Sequence, residues 1–445
     1  MCTKIPICKE EYEKNIAETR EQRMGWWREA RFGMFIHYGL YSTKGTHEWA
    51  MAYENYTQEE YREFLKNMTF DASMPEKWVR TAKKAGMKYI VLTTRHHEGF
   101  SLWDSKANPY NSVNCGPGVD SVRLFVDACR KEGIRIGFYF SLMDWIHPDA
   151  WKCAVDAQAR LRFTEYLQGM LKELMTQYGK IDILWYDISR PMVSWEGWDS
   201  LRMNQMVREL QPDIIINNRS KLEEDFGTPE EKIDAEKGDW EACMTFNGIS
   251  WGYIDSDSCV PYSYNAHEII RMLCKVTAEG GNLLLNVGPK PDGSLPDEVM
   301  KPLETVGAWL AKNGSAVYGR KKPTVVYRTN GLCSATQDGN KVYLWNWIWP
   351  KEKELRLGGF MTVLKQVKVL GTEIQVEFDQ NEHYIRLKNL SEKNRDPLLS
   401  ITVFELEFEE EPEYARAFLY PQLHLGKVYT DKIRELRDKL KEKEI

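Results

Sequence analysis

No run in this sequence approaches the roughly 18 apolar residues of a membrane-spanning helix, so a helical membrane protein is excluded. Nothing at the amino terminus reads as a signal peptide: Met1 to Lys14 is charged and has no apolar centre. The nine cysteines are odd in number and scattered without metal or redox spacing, so reduced thiols in a cytoplasmic protein are expected. Positive charge is in deficit, with 60 Lys and Arg against 66 Asp and Glu. That balance argues against nucleic acid as the main partner. There is no glycine-rich phosphate loop of the expected spacing, no internal repeat and no low-complexity tract. Rings are plentiful instead: 16 Trp and 22 Tyr in 445 residues, of which 42% are hydrophobic. Such a chain can build a large core, and it also offers aromatic walls to the apolar faces of sugars.

The first part of the chain alternates strand-like apolar runs with helical periodicity. Strands are expected at Phe32–His37, Tyr89–Thr94, Arg135–Ser141, Ile181–Asp187, Ile214–Arg219, Trp240–Phe246 and Asn282–Gly288. Near-continuous apolar runs of this kind belong to parallel strands covered on both faces. Helices are expected between them. One opens at Pro75 and closes at Gly86, with Trp78, Val79 and Ala82 inward; another is capped by Asp120 and stopped by Gly133. Strand–helix alternation implies right-handed crossovers and an α/β fold of the (β/α)8 type, with residues 1–320 as the catalytic barrel. Only seven strands are clear, and the eighth is expected to be degenerate or hidden in 40–70. Residues 220–239 are strongly charged, a loop able to fold over a site. Beyond residue 320, short alternating strands separated by Gly and Asn/Asp turns predict an antiparallel β-sandwich over 321–412. A tail over 413–445 ends in a charged helix with Ile433, Leu436 and Leu440 on one stripe.

Several strands are read as ending on chemically able residues: His37, His96 with His97, Tyr139, Asp187, Arg219 and Glu241. In a parallel barrel the strand exits share one face, where active sites are built. Two carboxylates on different strands, Asp187 and Glu241, are the equipment of glycoside hydrolysis. The histidines and Arg219 suit sugar hydroxyls, and Trp49, Tyr139 and Trp185 offer ring faces. A metal centre is disfavoured, because the adjacent His96 and His97 would diverge in a regular strand. Cysteine–histidine catalysis has only Cys243 to draw on.

Longer motifs sharpen this reading. Arg31-Phe32-Gly33-Met34-Phe35-Ile36-His37-Tyr38-Gly39 followed by Glu48-Trp49, His96-His97-Glu98-Gly99-Phe100 with Leu102-Trp103-Asp104-Ser105, and Asn282–Gly288 with Pro289 and Asp292-Gly293 resemble the signatures of glycoside hydrolase family 29, the retaining α-L-fucosidases. The resemblance covers residues 25–320. It implies Asp187 as nucleophile, Glu241 as acid/base, and His37, Glu48, Trp49, His96, His97, Tyr139, Trp185 and Arg219 around the sugar. It implies no metal and no organic cofactor, and a fucosylated oligosaccharide or glycoconjugate as partner. Three departures stand out: Tyr38 where Trp is usual, Glu98 where Asp is usual, and Ile188-Ser189 after the nucleophile where Gly is common.

The expected activity is therefore exo-α-L-fucoside hydrolysis by double displacement. An α-L-galactosidase and a non-catalytic glycan-binding protein are the alternatives on the same scaffold. Fucose and galactose differ at C5, and Phe246 and Trp251 are candidates for the wall there. Linkage preference and oligomeric state are left open.

Overall fold

A computed structural model describes residues 7–187, 190–255, 264–320, 333–414 and 425–443. Ile188-Ser189, one of the three departures above, lies outside them. The chain divides into two compact units, Met1–Asn265 with Gly281–Gly307, and Ala266–Gly280 with Ala308–Ile445.

The first unit is built on a seven-stranded parallel sheet. Its strands are β1 Phe32–Ile36, β2 Tyr89–Arg95, β3 Arg135–Ser141, β4 Ile183–Asp187, β5 Ile215–Ile216, β6 Glu241–Thr245 and β7 Asn282–Val287. They lie in the order β5-β4-β3-β2-β1-β7-β6, and every pairing is parallel. Burial along the strands is nearly complete, which is why their apolar runs do not alternate. The connecting helices follow their local signals. Met74–Lys84 carries a proline in its first turn and buries Trp78, Val79 and Ala82. Ser121–Glu132 starts with the Asp120 side chain accepting from the Arg123 amide and ends at Gly133, whose φ of 71° suits a residue without a side chain.

The expectation of a strand within 40–70 is not met. That stretch forms short helical turns at Leu40–Thr43, Ala50–Tyr53, Gln58–Arg62 and Glu63–Asn67. A different segment lies between β5 and β6. Asp225 bonds Ile216, Phe226 bonds Asn218, Gly227 bonds Asp239 and Glu241, and Pro229 and Glu231 both bond Cys243. Parallel bridges Asn217–Phe226, Gly227–Trp240 and Glu230–Cys243 give the same picture. This piece was expected to be a loop. It has the hydrogen bonding of a degenerate strand because residues 224–229 are buried and their backbone groups need partners.

In the second unit, β8 Cys333–Asp338, β9 Lys341–Asn346, β11 Leu364–Val369 and β14 Thr402–Phe408 form an antiparallel sheet in the order β11-β14-β9-β8. The strands β10 Leu355–Gly358, β12 Phe378–Gln380 and β13 Tyr384–Leu387 form another, in the order β10-β13-β12. One apolar cluster draws on both sheets, with Leu344, Leu357, Val367, Ile385, Leu387, Phe404 and Leu406 fully or nearly fully buried. The final helix spans Leu425–Lys441 and buries Leu436. No helix among the described residues is long and apolar enough to cross a membrane.

Candidate active site

The strand exits of the first unit open into a cavity of about 330 Å³, lined by Phe35, His37, Glu48, Trp49, His96, His97, Tyr139, Trp185, Asp187, Arg219 and Glu230, with His47, Tyr53, Ile249 and Trp251. Its size falls at the small end of the roughly 300–1,000 Å³ usual for ligand sites. All but one of the expected site residues meet here.

Asp187 closes β4 and is held from two sides. Arg219 donates through Nη1 to Oδ1 at 2.5 Å, and the Tyr139 hydroxyl donates to Oδ2 at 2.8 Å. His97 Nε2 is 3.7 Å from the same Oδ2. Arg219 also lies over the Trp185 ring, 4.5 Å from its centroid. Its second arm, Nη2, donates to Glu230 Oε2 at 2.8 Å. One guanidinium therefore joins two carboxylates, and the side chain of Glu230 is 44% exposed while that of Asp187 is 14% exposed.

The histidines are oriented from behind. Asn286 gives its amide to the Trp251 carbonyl, so its oxygen accepts from His37 Nδ1–H at 2.7 Å. The Ser141 hydroxyl gives its hydrogen to the Met143 carbonyl, so its oxygen accepts from His97 Nδ1–H at 2.7 Å. Both rings then offer an unprotonated Nε2 to the cavity. Burial, reinforced by the neighbouring His96, lowers the His37 pKa to about 3 and holds His97 well below the ordinary imidazole value. The expected divergence of His96 and His97 is corrected: β2 stops at Arg95, strand alternation no longer applies, and both rings line the cavity with centroids 3.9 Å apart.

Glu48 accepts the Ser250 hydroxyl at 2.5 Å and the Trp251 and Gly252 amides at 3.0 and 3.2 Å, all on Oε2. Burial pushes its pKa up, but His47, the Ser250 bond and His96 outweigh this and hold it below the ordinary carboxylate value. Glu48 is thus an anion at the cavity wall. Trp49 stacks on Tyr53 at 5.5 Å and meets His97 edge-on at 5.2 Å.

Glu241 is the exception. It is the first residue of β6, at the strand's entry and not its exit, and it is fully buried away from the cavity. Trp185 donates its indole N–H to Oε1 at 3.1 Å, and the Tyr89 hydroxyl donates to Oε2. Burial raises its pKa to about 7, against the pull of those two donors. It holds the underside of Trp185, one ring of the cavity, and has no route to a ligand's leaving group. Of the two residues considered for a wall at C5, Trp251 lines the cavity and Phe246 is buried elsewhere. Among the described residues no group of three His, Cys, Asp or Glu is placed to hold a metal ion.

A sugar-sized cavity with paired carboxylates, imidazoles and aromatic rings at the exits of a parallel sheet defines a carbohydrate-active enzyme. The sequence model of the Alpha-L-fucosidase family matches residues 2–315, and the chain belongs to that family. Tissue α-L-fucosidase of Rattus norvegicus is 30% identical over 392 residues, covering 80% of this chain and 83% of the relative. The structure of α-L-fucosidase isoenzyme 1 from Paenibacillus thiaminolyticus superimposes with a TM-score of 0.79 at 32% identity, over 88% of this chain and 100% of that one. A trapped covalent intermediate of a family 29 α-L-fucosidase from Bacteroides thetaiotaomicron, formed with 2-fluoro-fucosyl fluoride, has a TM-score of 0.76 at 27% identity. It covers 87% of this chain and 96% of that one.

Proposed function

We propose that this chain is a retaining exo-α-L-fucosidase in which Asp187 is the nucleophile and Glu230, not Glu241, is the acid/base. The observation that carries the assignment is the single guanidinium of Arg219 bonded to both carboxylates at the cavity wall. Arg219 keeps Asp187 ionised for attack on the anomeric carbon. Glu230 shares that arginine, but its side chain is 44% exposed and water weakens the contact; it delivers a proton to the departing oxygen and then takes one from the water that cleaves the fucosyl-enzyme. Glu48 is a poor acid because its environment holds it as an anion; a contact to a ring hydroxyl suits it. His37 and His97, neutral and with Nε2 open, accept from other hydroxyls. The covalent intermediate captured in the Bacteroides enzyme supports double displacement. The hydrogen bonding of segment 225–231 to both β5 and β6 supports a barrel closed by a degenerate eighth strand. The cluster common to the two antiparallel sheets supports a sandwich.

The test is Asp187→Gly. Hydrolysis of an aryl α-L-fucoside should fall nearly to nothing, and added azide should restore turnover with β-fucosyl azide as product. Near wild-type activity in the variant, or a product of α configuration, would overturn the nucleophile. Comparing aryl α-L-fucoside with aryl α-L-galactoside separates the two sugars at C5. A clear preference for the galactoside would replace the first reading with the second.

A further inference from the structure

Between the turn Asn218–Ser220 and β6 the described chain has neither helix nor regular strand, yet this stretch brings Glu230 to the cavity. Its two ends are fastened by arginines from elsewhere in the sequence. At the first end, Arg23 of helix Lys9–Ala30 donates to Asp225 Oδ1 at 2.7 Å, and Arg208 of helix Ser200–Leu210 donates to Oδ2 at 2.8 Å. Arg208 also reaches Glu224 at 2.6 Å. Asp225 and Glu224 have no exposed side-chain surface, and Arg23 has 3%. At the second end, Asp239 takes a two-pronged bond from Arg28, with Nε and Nη2 each at 2.8 Å. Arg20 links the ends directly, donating through Nη2 to the Asp225 carbonyl at 2.5 Å and to Asp239 Oδ2 at 3.0 Å.

We propose that helix Lys9–Ala30 is a clamp for the acid/base: Arg20, Arg23 and Arg28 are positioning residues that fix both ends of the Glu230-bearing stretch. The proposal rests on the Glu230 reading given above. A loop with pinned ends samples fewer conformations, and proton delivery depends on placing the donor to within a fraction of an ångström. None of the three arginines lines the cavity, so their effect reaches the substrate through the stretch they hold, whose Glu230 faces the cavity and whose Thr228 accepts from Arg219. A clamp that served folding alone would leave no mark on one chemical step.

The experiment uses Asp239→Asn, which keeps the side chain's shape and removes the charge that Arg20 and Arg28 share. Arg28→Met serves as a second variant at a half-exposed site, and Arg28→Lys as the conservative one. For each folded variant, kcat/KM is measured on α-L-fucosides with poor and with activated leaving groups. The expected result is a loss of about tenfold or more on the poor leaving group, and a much smaller one on the activated group. Arg28→Lys should recover part of it. Equal losses on both substrates, or none, would overturn the clamp. Glu230→Gln is run alongside: if it shows no leaving-group dependence, the acid/base reading fails on its own account. If Glu230→Gln shows the dependence and the Asp239 and Arg28 variants do not, only the clamp fails.

Discussion

Glu230 and Glu241 belong to neighbouring stretches of chain and have opposite surroundings. Glu230 has a 44% exposed side chain and one arginine partner; Glu241 has no exposure and bonds Tyr89 and Trp185. General acid help is worth roughly 10²–10⁴ in rate and is felt only when the leaving group is poor. Glu230→Gln should therefore cripple natural fucosides far more than an activated aryl fucoside. Glu241→Gln should affect both substrates alike, as should Glu48→Gln. Leaving-group dependence found in the Glu241 variant instead would reverse the assignment. Asp187, His37, His96 and His97 were legible because buried apolar strands ended on or beside them. Glu230 was not, because Pro229 and a run of charges around it carry no periodic signal. Glu241 misled because the expected strand, Trp240–Phe246, was credited for its residue type and not for its direction. Those bounds already put Glu241 at the entry end.

The strands were legible for a simple reason. A parallel strand covered on both faces has to be apolar throughout, and that run survives any uncertainty about its ends. The irregular piece at 225–231 escaped because Phe226, packed on Trp27, is its one large apolar side chain, and the rest of its anchoring is by hydrogen bonds and arginines. Glycines inside strands also had a meaning that only packing supplies. A Cβ at Gly33 of β1 would lie 2.4–2.8 Å from the Tyr89 ring, and that ring is tied to Glu241 by its hydroxyl and cannot swing aside. Gly33→Ala should accordingly cost about 1–3 kcal/mol, the usual range for overpacking. Denaturant unfolding of Gly33→Ala beside Gly25→Ala makes the comparison, because a Cβ at Gly25 meets nothing within 4 Å. If both behave alike, the ring is not the obstacle. Gly25 lies within a helix, so alanine there should be neutral or stabilising.

At the scale of the whole molecule, buried groups beneath and around the cavity set opposing pH dependences on stability. His37 has a folded pKa of about 3 against an ordinary 6.5, and His97 is lowered too. Between those values the unfolded chain binds protons that the folded one refuses. Their stabilising effect is full above about pH 6.5 and is lost as the pH falls. Glu241 runs the other way. Its folded pKa of about 7 exceeds the ordinary 4.5, so the folded chain holds a proton that the unfolded one has released. Stability on its account falls as the pH rises from 4.5 through 7, by at most about 3 kcal/mol at 1.36 kcal/mol per pKa unit. Glu241→Gln removes this loss while keeping the side chain's shape. The gain in Tm of the variant over wild type should therefore grow from pH 5 to about pH 7 and level off above it. His37→Asn should show the reverse slope, its relative gain being largest at pH 5 and fading by pH 7. Thermal unfolding of the three proteins across that range decides the matter. A Glu241→Gln difference that stays flat with pH would mean that the buried carboxyl does not take up charge in this interval, and its environment would need a different account.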